Sequence, residues 1–95
     1  MQVMADELSH CHSEIDAIDD AMIDLLVKRF QVVSRVVAHK TAHGLPALIP
    51  SRVDEVVART TARAALKGLP VGLIEGLWRD IISGTIAYER RNNVA

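Results

Sequence analysis

A long amphipathic pattern between Ile15 and Lys40 constrains this chain more than any other feature of its sequence. Apolar residues recur there at the three- and four-residue steps of one helix face, namely Ile15, Ile18, Met22, Leu25, Leu26, Val32, Val33, Val36 and Val37. No Pro or Gly interrupts the run before Gly44. We predict a helix from about Ser13 that ends between Lys40 and His43, with Gly44 as the residue that closes it. Asp6, Ser9 and Ser13 are each candidate caps, and Asp16 favours Ser13. Residues 1–12 have no clear structural assignment.

The predicted helix is longer than a globule of this size is wide. At about 1.5 Å per residue it runs on the order of 40 Å, whereas a chain of 95 residues folds into a globule about 30 Å across. A helix that extends beyond its own core buries its apolar face against another chain or leaves it exposed. The sequence therefore predicts a homodimer.

Composition excludes several classes of function. Hydrophobic residues make up 49% of the chain, aromatic residues only 3%, and the net charge is −1, so we expect no nucleic-acid binding. No apolar run reaches the length of a membrane span, and we see no signal peptide. The lone Cys11 cannot form an intrachain disulfide. We expect a cytoplasmic protein with one domain over residues 1–95 and a core from about 12 to 91.

The adjacent residues His10, Cys11 and His12 are candidate metal ligands. Neighbouring side chains on a helix diverge, however, and the sequence offers no second cluster of ligands. We therefore expect no metal at these residues.

Two shorter helices are predicted after the long one. The segment GLPALIP is a loop because it carries two prolines, and its apolar character suggests that it covers other residues. Ser51 with Asp54 predicts a capping box for the second helix, which Gly68 ends. The third helix is predicted from about Val71 to Arg91, followed by a frayed polar tail. The expected buried positions in the second helix are Val53, Val56, Val57, Thr60 and Ala64, with Ala65 as a further candidate. Those in the third helix are Leu73, Leu77, Ile81, Ile82 and Ile86, with Trp78 nearby.

Two cations lie on the apolar face of the long helix. Arg29 and Lys40 are eleven positions apart, which at about 100° per residue brings both to one side. Long cationic side chains beside an apolar surface can bind an anionic ligand that also carries apolar groups. Arg52 is predicted in the first turn of the second helix, where a cation is disfavoured by the helix dipole. The same anionic ligand would explain that placement.

The spacing of these residues resembles that of the all-α chorismate mutases, the AroQ class, over about residues 12 to 90. The matching positions are IDAID, LLVKR with Arg29, then Lys40, Pro46, Arg52, Ile81 with Ile82, and Thr85 with Glu89. The resemblance implies an intertwined helical homodimer with three helices per chain and two shared active sites. Each site would take most residues from one chain and a cation from its partner. The expected site residues are His12, Arg29, Lys40, Ile49, Arg52, Val53, Thr85 and Glu89.

The resemblance also implies an isomerase that converts chorismate to prephenate by a Claisen rearrangement. Its substrate is a small dicarboxylate, and the reaction needs no cofactor, metal or nucleophile. Such an enzyme binds a compact conformer and stabilises the charge that develops at the breaking C–O bond. Arg29 is then expected to bind a carboxylate. Lys40 is expected to bind both a carboxylate and the ether oxygen of the substrate. Glu89 is expected to donate a second hydrogen bond to that ether oxygen.

Three departures from the family pattern leave alternatives open. His12 stands in place of the arginine from the partner chain, and Glu89 stands where many bacterial members have Gln. Ile49 and Val53 replace acidic residues that bind the ring hydroxyl and brace Lys40. The apolar residue at Val53 resembles what the isochorismate-pyruvate lyases of this fold have at that position. The loop before the second helix, together with Glu89, resembles the same features of the 4-amino-4-deoxychorismate mutases. Another alternative is a weakly active mutase-like module that depends on a partner enzyme of the shikimate branch.

Overall fold

Three α-helices account for most of the chain. The computed structural model describes the backbone of residues 2–95 and the side chains of residues 5–95. The helices are α1 (Gln2–His43), α2 (Pro50–Leu66) and α3 (Val71–Arg91), and the described residues contain no β-strand. The predicted all-α class, with one long and two shorter helices, is confirmed. No helix among these residues combines the length and apolar character that crossing a membrane requires.

Helix α1 begins well before the predicted position. Ser13 and Asp16, which we expected to cap it, lie inside the helix, so that prediction is wrong. The preceding segment QVMADELSHCH contains no Pro or Gly, and Gln, Met, Ala, Leu and Glu are good helix formers. Nothing in its local chemistry therefore stops the helix. With 42 residues, α1 is about 63 Å long at 1.5 Å per residue.

The chain divides into two compact units, residues 1–32 and 33–95. In the first unit, eight large apolar residues of α1 are about half exposed, at 48–62%, whereas Leu26 and Phe30 are more buried. The eight are Leu8, Ile15, Ile18, Met22, Ile23, Leu25, Val27 and Val32. Among the described residues of this unit, none is buried, so the apolar face of α1 has no core of its own there.

In the second unit, α2 packs against α3. Val56, Val57 and Ile82 form the core cluster, with Val53, Trp78 and Ile86 packed against it. The predicted stripe of α2 is largely correct, since Thr60 and Ala64 are buried as well.

The inward face of the third helix agrees with the prediction at Ile82 and Ile86 but differs nearer its start. Ile74 is buried, whereas Leu73 is 62% exposed and Leu77 is 37% exposed. The inward face of α3 follows Ile74, Trp78 and Ile82 at four-residue steps. Leu73 and Ile74 are both apolar, so hydrophobicity alone does not choose between the two registers.

Helix α2 starts without the predicted capping box. Its N-cap residue is Ile49, which makes no side-chain cap, and Pro50 occupies the first turn. The Ile49 carbonyl instead accepts the N–H groups of Arg52 and Val53 at 3.0 and 3.2 Å. Pro50 sets the helical φ at a position where no N–H is needed, so Ser51 lies inside the helix and caps nothing.

All three helices end in the same kind of turn. A residue in the left-handed region follows each helix, and the next N–H donates to the carbonyl five residues back, which is the Schellman motif. The left-handed residues are Gly44, Gly68 and Asn93, with φ of 65°, 76° and 72°. The hydrogen bonds are Leu45 to Lys40 (2.9 Å), Leu69 to Ala64 (2.9 Å) and Val94 to Glu89 (3.0 Å). The predicted roles of Gly44 and Gly68 are confirmed.

The segment after α3 is more ordered than predicted. We expected a frayed polar tail, but Val94 is only 3% exposed and its N–H is hydrogen-bonded to Glu89. Asn93 supplies the left-handed residue that closes the helix, a role that asparagine takes less often than glycine.

Candidate functional site

Lys40 and Glu89 form an ion pair within the second unit. Lys40 lies in the last turn of α1 and Glu89 in the last turn of α3. Lys40 Nζ is 2.9 Å from Glu89 Oε1, and the two side chains are 12% and 4% exposed. Since little water reaches the pair, solvent screens this interaction less than it screens an ion pair on the surface.

The loop between α1 and α2 supplies a second partner for Lys40. Lys40 Nζ donates a hydrogen bond of 2.9 Å to the backbone carbonyl of Ala47, and Ala47 is only 3% exposed. An ammonium group has three N–H donors. With one donated to Ala47 and the carboxylate of Glu89 alongside, the lysine keeps capacity for a further acceptor.

The carboxyl group of Glu89 is not fully satisfied. Oε1 is buried and accepts no hydrogen bond from the described residues, although Lys40 Nζ lies at ion-pair distance. The contact therefore brings the charges close without the angle of a hydrogen bond. Buried polar atoms without hydrogen bonds are uncommon and costly. This oxygen is positioned to accept a hydrogen bond from a ligand, or to donate one when it carries a proton.

Three hydroxyl groups lie along the same two helices. Thr85, one turn before Glu89, donates from Oγ1 to the Ile81 carbonyl at 2.8 Å. Ser34 Oγ and the Tyr88 hydroxyl are 3.1 Å apart, which gives a second polar contact between α1 and α3. The ends of these helices are thus joined at Ser34–Tyr88 and at Lys40–Glu89.

The residues at the start of α2 have different surroundings. Ile49 is half-buried, and Val53 packs against the core cluster. Arg52 is exposed and pairs with Glu55 on the same helix. The placement of Arg52 in the first turn therefore has a partner within the chain, and it does not require the anionic ligand that we inferred from the sequence.

His12 and Arg29 belong to the first unit, on α1. His12 is exposed, and Arg29 is half-buried. The other pair of histidines, His39 and His43, stack at the end of α1 with ring centroids 4.2 Å apart. Among the described residues, no three His, Cys, Asp or Glu side chains cluster in a way that would hold a metal ion.

Sequence reasoning missed two partners in this site. The acceptor at Ala47 is a backbone carbonyl, which no residue type encodes, and the apolar loop was the only sign of it. The direct contact between Lys40 and Glu89 was missed as well. Their opposite charges and their positions at two helix ends were the available signal.

Comparison with known proteins gives one positive result. The family model described as chorismate mutase type II matches residues 11–90, which is well over half of the chain and includes every candidate site residue. Neither the curated proteins nor the solved structures contain a match to the chain.

Proposed function

The chain belongs to the chorismate mutase type II family, and we propose that it rearranges chorismate to prephenate. The observation that carries this proposal is the pairing of Lys40 with Glu89 at 2.9 Å, with both side chains almost inaccessible to water. A unimolecular Claisen rearrangement requires a compact substrate conformer and hydrogen-bond donors where negative charge develops. A buried ammonium beside a carboxyl group offers two such donors when the carboxyl is protonated.

Lys40 is proposed to stabilise the ether oxygen of the substrate. Its hydrogen bond to Ala47 fixes the direction of the ammonium, so a remaining N–H is already oriented when the substrate arrives. Preorganised donors need no rearrangement at the moment of reaction, and the loss of one typically lowers kcat by about 100- to 1,000-fold.

Glu89 is proposed to donate the second hydrogen bond to the same oxygen. An ionised carboxylate only accepts hydrogen bonds and would repel the developing negative charge, so the protonated form is the active one. The buried Oε1, which has no hydrogen-bond donor among the described residues, supports this proposal.

The remaining candidate residues are proposed to bind the rest of the substrate. Arg29 and Arg52 would hold its carboxylates, and Arg52 would have to leave Glu55 to do so. Ile49 and Val53 would form an apolar wall, and Thr85 would bind through its hydroxyl group.

The active unit is proposed to be an intertwined homodimer that shares two sites, with His12 of the partner subunit completing each. The half-exposed apolar residues of α1 in the first unit support a second copy as their cover. Full burial of an exposed side chain of this kind contributes about 1.5–3 kcal/mol. Because these side chains are already about half buried, association would add roughly half of that for each, which still favours association of a domain this small.

A sister reaction on the same fold is the second candidate. Neither Ile49 nor Val53 offers a hydrogen bond to a ring hydroxyl, and Val53 is engaged in the core cluster. That observation favours a substrate whose ring hydroxyl lies at another position, as in isochorismate, or is replaced by an amine, as in 4-amino-4-deoxychorismate. A weakly active module that depends on a partner enzyme is the third candidate.

One assay separates these candidates. The purified protein is given chorismate, isochorismate and 4-amino-4-deoxychorismate in parallel, with no partner added, and the products are followed by chromatography. We expect chorismate to give the highest kcat/KM. A preference for either other substrate would assign the sister activity, and negligible turnover of all three would favour the dependent module.

A further inference from the structure

The turn that follows α3 makes main-chain hydrogen bonds to the carbonyl group of Glu89. Asn93 adopts a left-handed conformation with φ of 72°, and the Val94 N–H donates to the Glu89 carbonyl over 3.0 Å. The Asn92 N–H reaches the same carbonyl, also at 3.0 Å. The backbone of the residue that contacts Lys40 is therefore held by two donors from this turn.

Val94 is a buried apolar residue between exposed neighbours. It is 3% exposed, as is Glu89, whereas Asn93 and Ala95 are exposed. In Schellman turns the side chain at the position of Val94 commonly packs on the last helical turn, five or six residues earlier. In this chain, those two residues are Glu89 and Tyr88.

One oxygen of the Glu89 carboxyl group, Oε1, accepts no hydrogen bond from the described residues. Its contact with Lys40 is an ion pair without hydrogen-bond geometry, which sets a distance more than a direction. The orientation of this side chain thus depends on where the backbone places it and on the residues that cover it.

We propose that Val94 is a positioning residue for Glu89. It closes the last turn of α3 and covers it, which holds the carboxyl group against Lys40 and limits the access of water. The catalytic part of this inference rests on the proposed function, in which Glu89 contacts the substrate. The structural part concerns the free protein alone.

The first test compares Val94→Ala with Ala95→Gly, a matched change at the exposed neighbour. If Val94 positions a donor that acts in the transition state, Val94→Ala should lower kcat by about tenfold while KM changes little. Ala95→Gly should match the parent protein. An unchanged kcat in a folded Val94→Ala protein would overturn the proposal.

A second variant leaves the side chain of Val94 in place. Asn93→Val puts a β-branched residue where the backbone is left-handed, a conformation that such residues strongly disfavour. Asn93→Val should therefore lower kcat as Val94→Ala does, because both changes weaken the turn that positions Glu89. Full activity of a folded Asn93→Val protein would count against the role of this turn.

A double-mutant cycle then separates positioning from general stability. In a Glu89→Ala background, Val94→Ala should cause no further loss of kcat, because the group that it positions is gone. If the same tenfold loss persists, Val94 acts elsewhere in the fold and the proposal is wrong.

The last readout needs no turnover. In the free protein, Val94→Ala should shift the ¹³C resonance of the Glu89 carboxyl group and speed hydrogen exchange of the amide at position 94, while Ala95→Gly should change neither. If the protein turns over none of the three substrates, that inactivity would refute the proposed function. The spectral and exchange changes would still support the positioning role. An unchanged Glu89 resonance would refute the positioning role, whatever the activity.

Discussion

Lys40 and Glu89 occupy the same position in the turns that end their helices, and their side chains meet. Each residue's carbonyl accepts the N–H from five residues later, Leu45 for Lys40 and Val94 for Glu89. Nζ and Oε1 are 2.9 Å apart. The two groups that we propose to contact the ether oxygen are therefore held by main-chain hydrogen bonds as well as by each other.

Removal of the ammonium should abolish most of the activity. Lys40→Met keeps the aliphatic stem and removes the donor, so kcat/KM should fall by about 100- to 1,000-fold. Lys67→Met makes the same change at an exposed lysine and should leave kinetics unchanged. Steady-state assays on both proteins, with helix content checked by circular dichroism, make the comparison. Parent-like activity in Lys40→Met would remove Lys40 from the catalytic role.

The two roles of Glu89, donor and ion-pair partner, can be separated by substitution. Because only the protonated carboxyl donates a hydrogen bond, Glu89→Gln should keep kcat/KM close to that of the parent, since its amide N–H is always available to donate. Glu89→Ala removes the donor and should lower kcat/KM by about 100-fold or more. Steady-state assays of the three proteins make the comparison. Full activity of Glu89→Ala, or an equal loss in both variants, would show that Glu89 is not the donor.

Replacement of His12 by arginine should improve substrate binding. If His12 reaches the substrate from the partner subunit, His12→Arg should lower KM for chorismate, because a guanidinium makes a charge-assisted bidentate contact with a carboxylate. Such contacts contribute about 1.5–3 kcal/mol, so the change should reach about tenfold. His10→Arg adds the same charge two residues away and should leave KM unaltered. Equal KM values for the parent and His12→Arg would place this residue outside the site.

The apolar face of α1 should determine the oligomeric state. Sedimentation at micromolar concentration should show a dimer. Ile18→Asn places an amide in the apolar stripe and should weaken the dimer, whereas Asp20→Asn introduces the same residue on the opposite side of α1, about 200° away. A folded monomer of the parent protein, or a dimer indifferent to Ile18→Asn, would contradict the proposed assembly.

The fold was predictable where residue chemistry fixes the backbone. Gly44 and Gly68 marked two helix ends correctly, because glycine adopts the left-handed region without strain. Asn93 makes the same turn and was missed, since asparagine gives a weaker signal. The start of α1 was placed too late, because a capping pattern at Ser13 was read as a boundary although no breaker precedes it.

Within the site, the charged residues were predictable from the sequence, whereas the main-chain groups that contact them were not. Lys40 and Glu89 stood out by spacing and resemblance. The carbonyl at Ala47 and the turn at Val94 depend on how the backbone folds over the helix ends. The surface pairing of Arg52 with Glu55 was missed for a different reason, since a three-residue spacing of opposite charges is common on helices and attracts little notice.

The use of a backbone carbonyl at residue 47 has a consequence for how this protein can diverge. Every residue type carries that carbonyl, so substitutions there preserve the acceptor for Lys40, and the confined space restricts them by size alone. Small residues such as glycine and serine meet this requirement best. The side chain at position 47 can therefore change while Lys40 keeps its hydrogen-bond acceptor.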